Sequence, residues 1–101
     1  MTTDHRLLLL SPGDSVYVLR GALEVGETVL LDGRSVRIDR RLGLGHKLAR
    51  RAHAPGDKVI KYGAPIGSAI APIAPGDHVH LHNLRSDYTP TYALGGPEAS
   101  L

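Results

Sequence analysis

Short runs rich in apolar and β-branched residues, separated by turn residues, are the main pattern along this chain of 101 residues. The runs lie at 15–19, 28–31, 35–38, 58–62, 64–71 and 78–82. Since successive side chains of a β-strand point to opposite faces, and since valine and isoleucine favour strands, each run predicts a short strand. Segment 43–52 is less regular. Its propensities permit a helical turn or two, but its glycines and the Pro55-Gly56 that follows favour a loop and then a short strand.

A tetrapeptide that begins with glycine recurs just before four of these runs. It reads glycine, an acidic residue, any residue and valine, and it starts at Gly13, Gly26, Gly56 and Gly76. A turn is expected at each, because proline presets φ and glycine adopts a positive φ at little cost. Asp32-Gly33 adds a favoured two-residue hairpin turn. This spacing of turns predicts a small all-β domain of barrel-like or clip-like form.

The composition restricts the chemistry that the chain can use. A length of 101 residues is enough for one domain with one modest core, and the chain has no Phe, Trp or Cys. A disulfide, a thiolate metal site and a cysteine nucleophile are therefore excluded, and any metal must be held by His, Asp or Glu. The apolar run at 7–10 is too short for a signal-peptide core or a membrane span, which predicts a cytoplasmic protein without membrane contact.

Basic residues are concentrated in the middle of the chain, between positions 34 and 51. The net charge is only +2, and a solvated basic face is the simplest interpretation. An anionic small molecule, a partner surface or nucleic acid are the alternatives. Nucleic acid ranks last, because there is no long basic arm and few aromatic side chains are present for base stacking.

The series of strand-like runs ends at Leu84. Residues 85–101 show no apolar periodicity, and Tyr88 and Tyr92 are their only large side chains. We therefore expect a folded domain over 1–84 and, over 85–101, a tail that is mobile or that becomes ordered against a partner.

Three histidines on alternate positions form the most unusual segment. On a strand, His78, His80 and His82 would share one face, with alternate positions roughly 6.6 Å apart, while Val79 and Leu81 would face the core. Histidine is the commonest metal ligand and titrates near neutral pH, so adjacent rings could hold an ion or an anionic ligand. The alternative is an ordinary antiparallel strand with one solvent-exposed face, in which apolar and polar residues alternate in the same way without any function.

Two glycine-flanked segments are further candidates for chemistry. His46-Lys47 follows a glycine, which would allow a ligand to approach a titratable group and a cation. Lys61-Tyr62 precedes a glycine, and Lys61 could bind a carboxylate. For both segments the alternative is a turn with ordinary polar side chains. His53 lies in a turn context, and we expect it to be exposed.

Several separated motifs, taken together and in order, resemble one family. They are DSV at 14–16, GHKLA at 45–49, KYG at 61–63, IG at 66–67 and HLHN at 80–83. They are similar to the SAF-domain unit of the altronate and galactarate dehydratases, which are sugar-acid hydro-lyases, and to the small subunit of sulfolactate sulfo-lyase. The resemblance extends from about residue 8 to residue 84 and implies a small β-clip SAF domain, mostly β with short helical turns.

The resemblance also implies an accessory subunit, inactive alone, whose larger partner dehydrates a sugar acid. It further implies a divalent metal, typically iron, held mostly by that partner. The implied catalytic residues are His46, His80 and His82. The implied substrate-binding residues are Lys47, Lys61, Tyr62 and Asn83. His80 and His82 are the best candidates for any metal contact, whereas His78 falls outside the motif and is expected at the surface.

Two positions depart from the family pattern. Ser15 stands where asparagine is frequent, which puts an amide contact in doubt. Arg50 stands where an apolar residue is usual, which predicts that the strand over 47–49 is more exposed than in relatives.

Two alternatives stay open: a sulfolactate sulfo-lyase subunit, and a non-catalytic module that binds a sugar acid or stabilises the larger subunit. The sequence is also compatible with a homo-oligomer.

Overall fold

The computed structural model of the chain describes residues 2–87, which form nine strands and no helix. The strands are β1 (Leu7–Leu8), β2 (Val16–Leu19), β3 (Thr28–Leu31), β4 (Arg34–Arg37), β5 (Lys47–Ala49), β6 (Lys58–Lys61), β7 (Ala64–Ala69), β8 (His78–Val79) and β9 (Leu84–Arg85). The prediction of an all-β domain is confirmed, as is the loop followed by a short strand around β5. Within the described part no helix is long and apolar enough to cross a membrane.

The strands pair antiparallel in three sheets. The central sheet has the order β1-β2-β5-β8, β3 and β4 form a separate hairpin, and the third sheet has the order β6-β7-β9. Tyr17 and Leu19 of β2 pack into one apolar cluster, whereas Val16 packs into the other. Because both faces of the central sheet are covered, β2 has a nearly continuous apolar sequence.

The core consists of these two clusters, one on each face of the central sheet. The first contains Leu7, Tyr17, Leu19, Leu23, Val29, Leu31, Ile38, Leu42 and Leu48. The second contains Val16, Ala49, Val59, Ala69, Ile73, Val79 and Leu84. Each cluster lies against one hairpin, the β3-β4 pair or the β6-β7 pair, so the chain is built as two similar halves around one sheet.

The glycine turns follow this two-fold organisation. Gly26, Gly45, Gly56 and Gly76 all have a positive φ, between 84° and 93°, and each lies two residues before a strand. The predicted turns at Gly26, Gly56 and Gly76 are therefore confirmed. The turn at Gly13 also forms, closed by a hydrogen bond from the Asp14 N–H to the Ser11 carbonyl oxygen, but without a positive φ. Gly45 has the positive φ without the tetrapeptide. The two hairpins turn alike, at Asp32-Gly33 as predicted and at Tyr62-Gly63, with φ values of 54° to 79°. Two consecutive positive φ values are the signature of the type I′ hairpin turn.

The predicted strand over 78–82 is only partly correct. Strand β8 ends at Val79, and the chain turns over the next four residues. Leu81, which was expected to face the core, is 49% exposed, and Leu84 takes the buried position instead, at 1%. The turn is the physical reason, because strand alternation no longer applies once the ladder has ended.

The expectation that His53 is exposed was wrong, and Arg50 does not expose the strand that precedes it. Strand β5 is fully buried, because it lies between β2 and β8 at the centre of the sheet. Arg50 itself extends sideways and donates hydrogen bonds to the carbonyl oxygens of Pro12 and Asp14. His53 is only 4% exposed, because its bridge to Ile73 places it in the same position in the second half that Leu23 occupies in the first.

The described chain continues past the predicted domain boundary at Leu84. The carboxylate of Asp87 accepts hydrogen bonds from Lys58 Nζ at 2.6 Å and from Ser68 Oγ at 2.9 Å, so Asp87 is attached to the β6-β7 hairpin. Most of the predicted tail, including Tyr88 and Tyr92, lies outside the described residues.

Candidate active site

The pairing of β5 with β8 brings two distant histidines together. Lys47 pairs with Val79, and Leu48 pairs with His78. One position further along the same register, His46 lies across from His80. Directly opposed residues of an antiparallel pair are close neighbours on one face, and the ring centroids of His46 and His80 are 5.6 Å apart.

The turn that follows β8 is held by the side chain of Asn83. Its Oδ1 accepts a hydrogen bond from the backbone N–H of His80, and its Nδ2 donates to the carbonyl oxygen of His78, both at 2.9 Å. Asn83 is 5% exposed. The amide therefore positions the histidine-bearing turn, a role that the sequence did not predict, and its contact with substrate stays a prediction.

Four histidines form one cluster at this end of the sheet. His78 is in the centre, with its ring centroid 5.0 Å from that of His46, 5.4 Å from that of His80 and 5.7 Å from that of His82. His46 Nδ1 and His78 Nε2 are 2.9 Å apart and share a hydrogen bond. His78 is half-buried, so the expectation that it is an ordinary surface residue was wrong. We call His46, His78, His80 and His82 the histidine cluster.

The surroundings of the cluster disfavour positive charge on its inner rings. Burial, reinforced by the neighbouring histidines and Arg40, lowers the pKa of His78 to about 4. Burial and the nearby Lys47 also lower the pKa of His80. At neutral pH both rings are therefore neutral, and each offers a nitrogen lone pair to a proton or to a metal ion.

Lys47 is the second unusual group at the site. It is 2% exposed, and burial together with the positive charge of Lys61 lowers its pKa to about 8. Lysine responds strongly to burial because the ammonium group loses its hydration. Lys47 is therefore affected by the charge of Lys61, and Lys47 in turn affects His80; that these residues form one site stays a prediction.

Tyr62 is placed differently from the other predicted site residues. It is 76% exposed on the β6-β7 hairpin turn, and within residues 2–87 no hydrogen bond or ring contact joins its side chain to the histidine cluster. Its backbone is held by the buried Asp14, whose carboxylate accepts hydrogen bonds from the N–H groups of Tyr62 and Gly63 at 2.8 Å each.

Ser15, at the position where asparagine was expected, also contacts the β6-β7 hairpin. Its Oγ accepts a hydrogen bond from the backbone N–H of Ile60 at 2.8 Å.

A cleft of about 330 Å³ borders the histidine cluster. His78, His82 and Asn83 line one part of it, and Arg37 and Arg40 line another. From the sequence these arginines are recognisable only as part of a general basic region. Their position beside the cluster depends on how the β3-β4 hairpin lies against the turn before β8, where Val36 is next to Gly76, and no local sequence pattern predicts that packing.

The nitrogen atoms of the cluster fit a divalent transition metal. One ring nitrogen from each of His46, His78 and His80 lies within 4.8 Å of the others. Imidazole is a good ligand for iron, zinc, nickel and copper, and a tetrahedral ion bound at about 2.1 Å requires nitrogen atoms about 3.4 Å apart. Small rotations of the three side chains would supply that spacing. Among the described residues, His82, which the sequence favoured, is outside this set of three.

These features define a small all-β domain with a histidine and lysine site at the end of its central sheet. Residues 5–87 match the altronate/galactarate dehydratase SAF domain family, and the chain belongs to that family. The resemblance seen in the sequence motifs is thereby confirmed.

Two kinds of relative share this domain. Altronate dehydratase of Escherichia coli (strain K12) is 45% identical over 74 residues, which cover 73% of this chain and 15% of that protein. Altronate dehydratase of Bacillus subtilis (strain 168) is 31% identical over 87 residues, 78% of this chain and 18% of that protein. The (2R)-sulfolactate sulfo-lyase subunit alpha of Chromohalobacter salexigens is 46% identical over 43 residues, 43% of this chain and 46% of that subunit. The chain thus spans less than a fifth of the altronate dehydratases that it matches.

Proposed function

We propose that this chain is the small SAF-domain subunit of a metal-dependent sugar-acid dehydratase of the altronate/galactarate type. In this proposal it works in the cytoplasm, completes the active site at the interface with a larger catalytic subunit, and is inactive alone. The observation that carries the proposal is the meeting of neutral imidazoles, a buried lysine and an arginine-lined cleft at one end of the sheet. Membership in the family, and the much greater length of the altronate dehydratases, support it.

The reaction defines what such a site must supply. Dehydration next to a carboxylate needs a base for a weakly acidic C–H bond, stabilisation of the enediolate that results, and an acid that assists the departing hydroxide. A divalent metal, which we take to be iron held mostly by the larger subunit, supplies a stabilising positive charge when bound. His80 and His82 are the sequence-based candidates for any ligands from this chain.

The residues of this chain divide into proton-transfer groups and substrate-binding groups. Imidazole can both accept and donate a proton in acid–base catalysis, so His46, His80 and His82 are the candidates for these roles. With a pKa of about 8, Lys47 is mostly protonated at neutral pH and can bind the carboxylate, with Lys61 as its neighbour. Arg37 and Arg40 offer further donors in the cleft for a second anionic or hydroxyl group.

The test is turnover by the reconstituted complex of this chain and its co-purifying larger subunit. Altronate and galactarate are supplied, and formation of the 2-keto-3-deoxy acid is followed. His46→Ala and His82→Ala should each lower kcat about 100-fold or more, while gel filtration shows that the complex is intact. His5→Ala is the matched control, because the His5 side chain is 82% exposed and does not belong to the histidine cluster. Near-wild-type rates in both cluster variants would refute the proposal.

A non-catalytic assembly module gives the opposite pattern in the same experiment. Substitutions in the histidine cluster would then weaken association with the larger subunit, and kcat of the complex that still forms would be unchanged. Measuring association and kcat on the same preparations separates the two functions.

The similarity to sulfo-lyase subunits favours a second candidate function. Two proteins named (2R)-sulfolactate sulfo-lyase subunit alpha are 46% and 44% identical to this chain over 43 residues. Assaying the complex on sulfolactate beside the sugar acids distinguishes this function, because release of sulfite replaces release of water.

A further inference from the structure

We propose that His46, His78 and His80 form a three-histidine site by which this chain itself binds one divalent transition-metal ion. The proposal rests on the geometry of the histidine cluster and does not depend on the proposed function. It differs from the sequence-based expectation, which placed any metal contact on His80 and His82.

Hydrogen bonding alone does not account for the grouping of these three rings. His46 Nδ1 and His78 Nε2 share one hydrogen bond, while the other nitrogen of His78, Nδ1, is buried and has no hydrogen-bond partner among residues 2–87. Buried polar atoms are normally paired, because leaving one unpaired costs free energy. Three imidazoles packed this closely, with polar capacity left over, are typical of a ligand set.

The ring nitrogens are close enough for the three side chains to reach one ion. One nitrogen of each ring lies within 4.8 Å of the others, and a tetrahedral ion with nitrogen ligands requires separations of about 3.4 Å.

The backbone holds these residues firmly enough for a preformed site. His78 is in β8, His46 directly precedes β5, and the two strands are paired in register. His80 is at the start of the turn that Asn83 fastens with two hydrogen bonds. Ligands carried by hydrogen-bonded elements keep their positions without the ion, which favours binding.

Three protein ligands leave one position of a tetrahedral ion open. Sites with this composition are typical of catalytic rather than structural zinc, because water or substrate completes the coordination. His78 also lines the neighbouring cleft of about 330 Å³. A water molecule, a substrate oxygen or a group from a partner could therefore complete the coordination.

The experiment is titration of the full-length chain, free of any histidine tag, with Co²⁺ and with Zn²⁺. Isothermal calorimetry gives the stoichiometry, and the visible absorption of Co²⁺ reports nitrogen ligands and coordination number. We expect saturation at one ion per chain, with no binding of Mg²⁺, which prefers oxygen ligands. Imidazole ¹⁵N chemical shifts, recorded with Zn²⁺, identify the histidines that bind.

Matched variants assign the ligands. His78→Phe keeps a planar ring without nitrogen and should weaken Co²⁺ binding by about 100-fold or more, since loss of an outer partner alone can cost up to that much. His80→Ala, which changes a residue in the turn, should have a similar effect and serves if His78→Phe fails to fold. His82→Ala and His5→Ala should leave the affinity within about twofold of wild type.

Several results would overturn the proposal. They are absence of stoichiometric binding by the wild-type chain, equal affinity in the wild type and the folded His80→Ala variant, and loss of binding in His82→Ala with retention in His80→Ala. None of these measurements uses a substrate. Failure of the metal site and failure of the dehydratase assignment are therefore distinguished.

Discussion

Replacing the buried His53 by leucine should stabilise the domain. His53 is 4% exposed, and in the described part of the chain neither of its buried ring nitrogens makes a hydrogen bond of normal geometry. The backbone of Arg51 is the nearest hydrogen-bonding group, and its effect on the pKa of His53 is smaller than that of burial. The corresponding position in the other half of the fold holds Leu23, which is 0% exposed. Leucine is therefore already accepted in the same backbone setting.

The expected gain follows from the unpaired nitrogen atoms. In proteins, burying a polar group without a hydrogen bond costs about 1–3 kcal/mol. His53→Leu removes that cost and keeps most of the apolar contacts. We therefore expect the free energy of unfolding at about pH 7 to rise by about 1–3 kcal/mol.

The same substitution should change the dependence of stability on pH. Burial, followed by the charge of Arg51, lowers the pKa of His53 below the usual value of 6.5. Between the lowered pKa and 6.5, the unfolded chain binds a proton that the folded chain does not. Stability is therefore lost as the pH falls through this window, by up to about 1.4 kcal/mol per pH unit, and His53→Leu should remove this contribution.

The assay is urea unfolding at about pH 7 and about pH 5.5, followed by far-ultraviolet circular dichroism because the chain has no tryptophan. His5→Leu, at an exposed position, is the control and should leave both the stability and its pH dependence unchanged. Leu23→His tests the converse and should destabilise the first half of the fold. If His53→Leu is less stable than wild type at neutral pH, or loses the same stability on acidification, the reasoning is wrong.

Three further predictions concern single contacts and can be checked by the same unfolding measurement. Gly67→Ala would place a Cβ atom 2.2 Å from the carbonyl oxygen of Arg85 and should lower the free energy of unfolding by about 1–3 kcal/mol. Gly43→Ala is the control: no heavy atom lies within 4 Å of its Cβ position, and the free energy of unfolding should change by less than about 0.5 kcal/mol. Asp14→Ala leaves three backbone N–H groups without their acceptor and should cost at least about 3 kcal/mol. Lys58→Ala breaks an exposed ion pair and should cost no more than about 1 kcal/mol.

Local sequence signals predicted most of the secondary structure. Strands β2, β3, β4, β6 and β7 all fall on the predicted strand-like runs, and the Asp32-Gly33 turn forms as expected. These features depend on φ preferences and side-chain alternation within a few residues, and both can be read from the sequence directly. The family, too, is recognisable from short motifs.

Burial of polar residues was predicted less well. His53 was expected to be exposed, and strand β5 to be more exposed than in relatives; both are in the core. Their neighbours in sequence are charged or small, which indicates surface, but their neighbours in space are buried strands and bridge residues. Burial depends on what packs across a sheet, and local composition does not report it.

The sequence by itself determined the turns, most of the strands, the all-β class and the membership of the family, because each of these depends on short segments. Only the tertiary structure decided which histidines meet. His46 and His78 are 32 positions apart, and the register between β5 and β8 brings them together. The same register places His78, which the sequence led us to expect at the surface, at the centre of the cluster. The sequence could not predict this, because the pairing of distant strands depends on packing over the whole sheet.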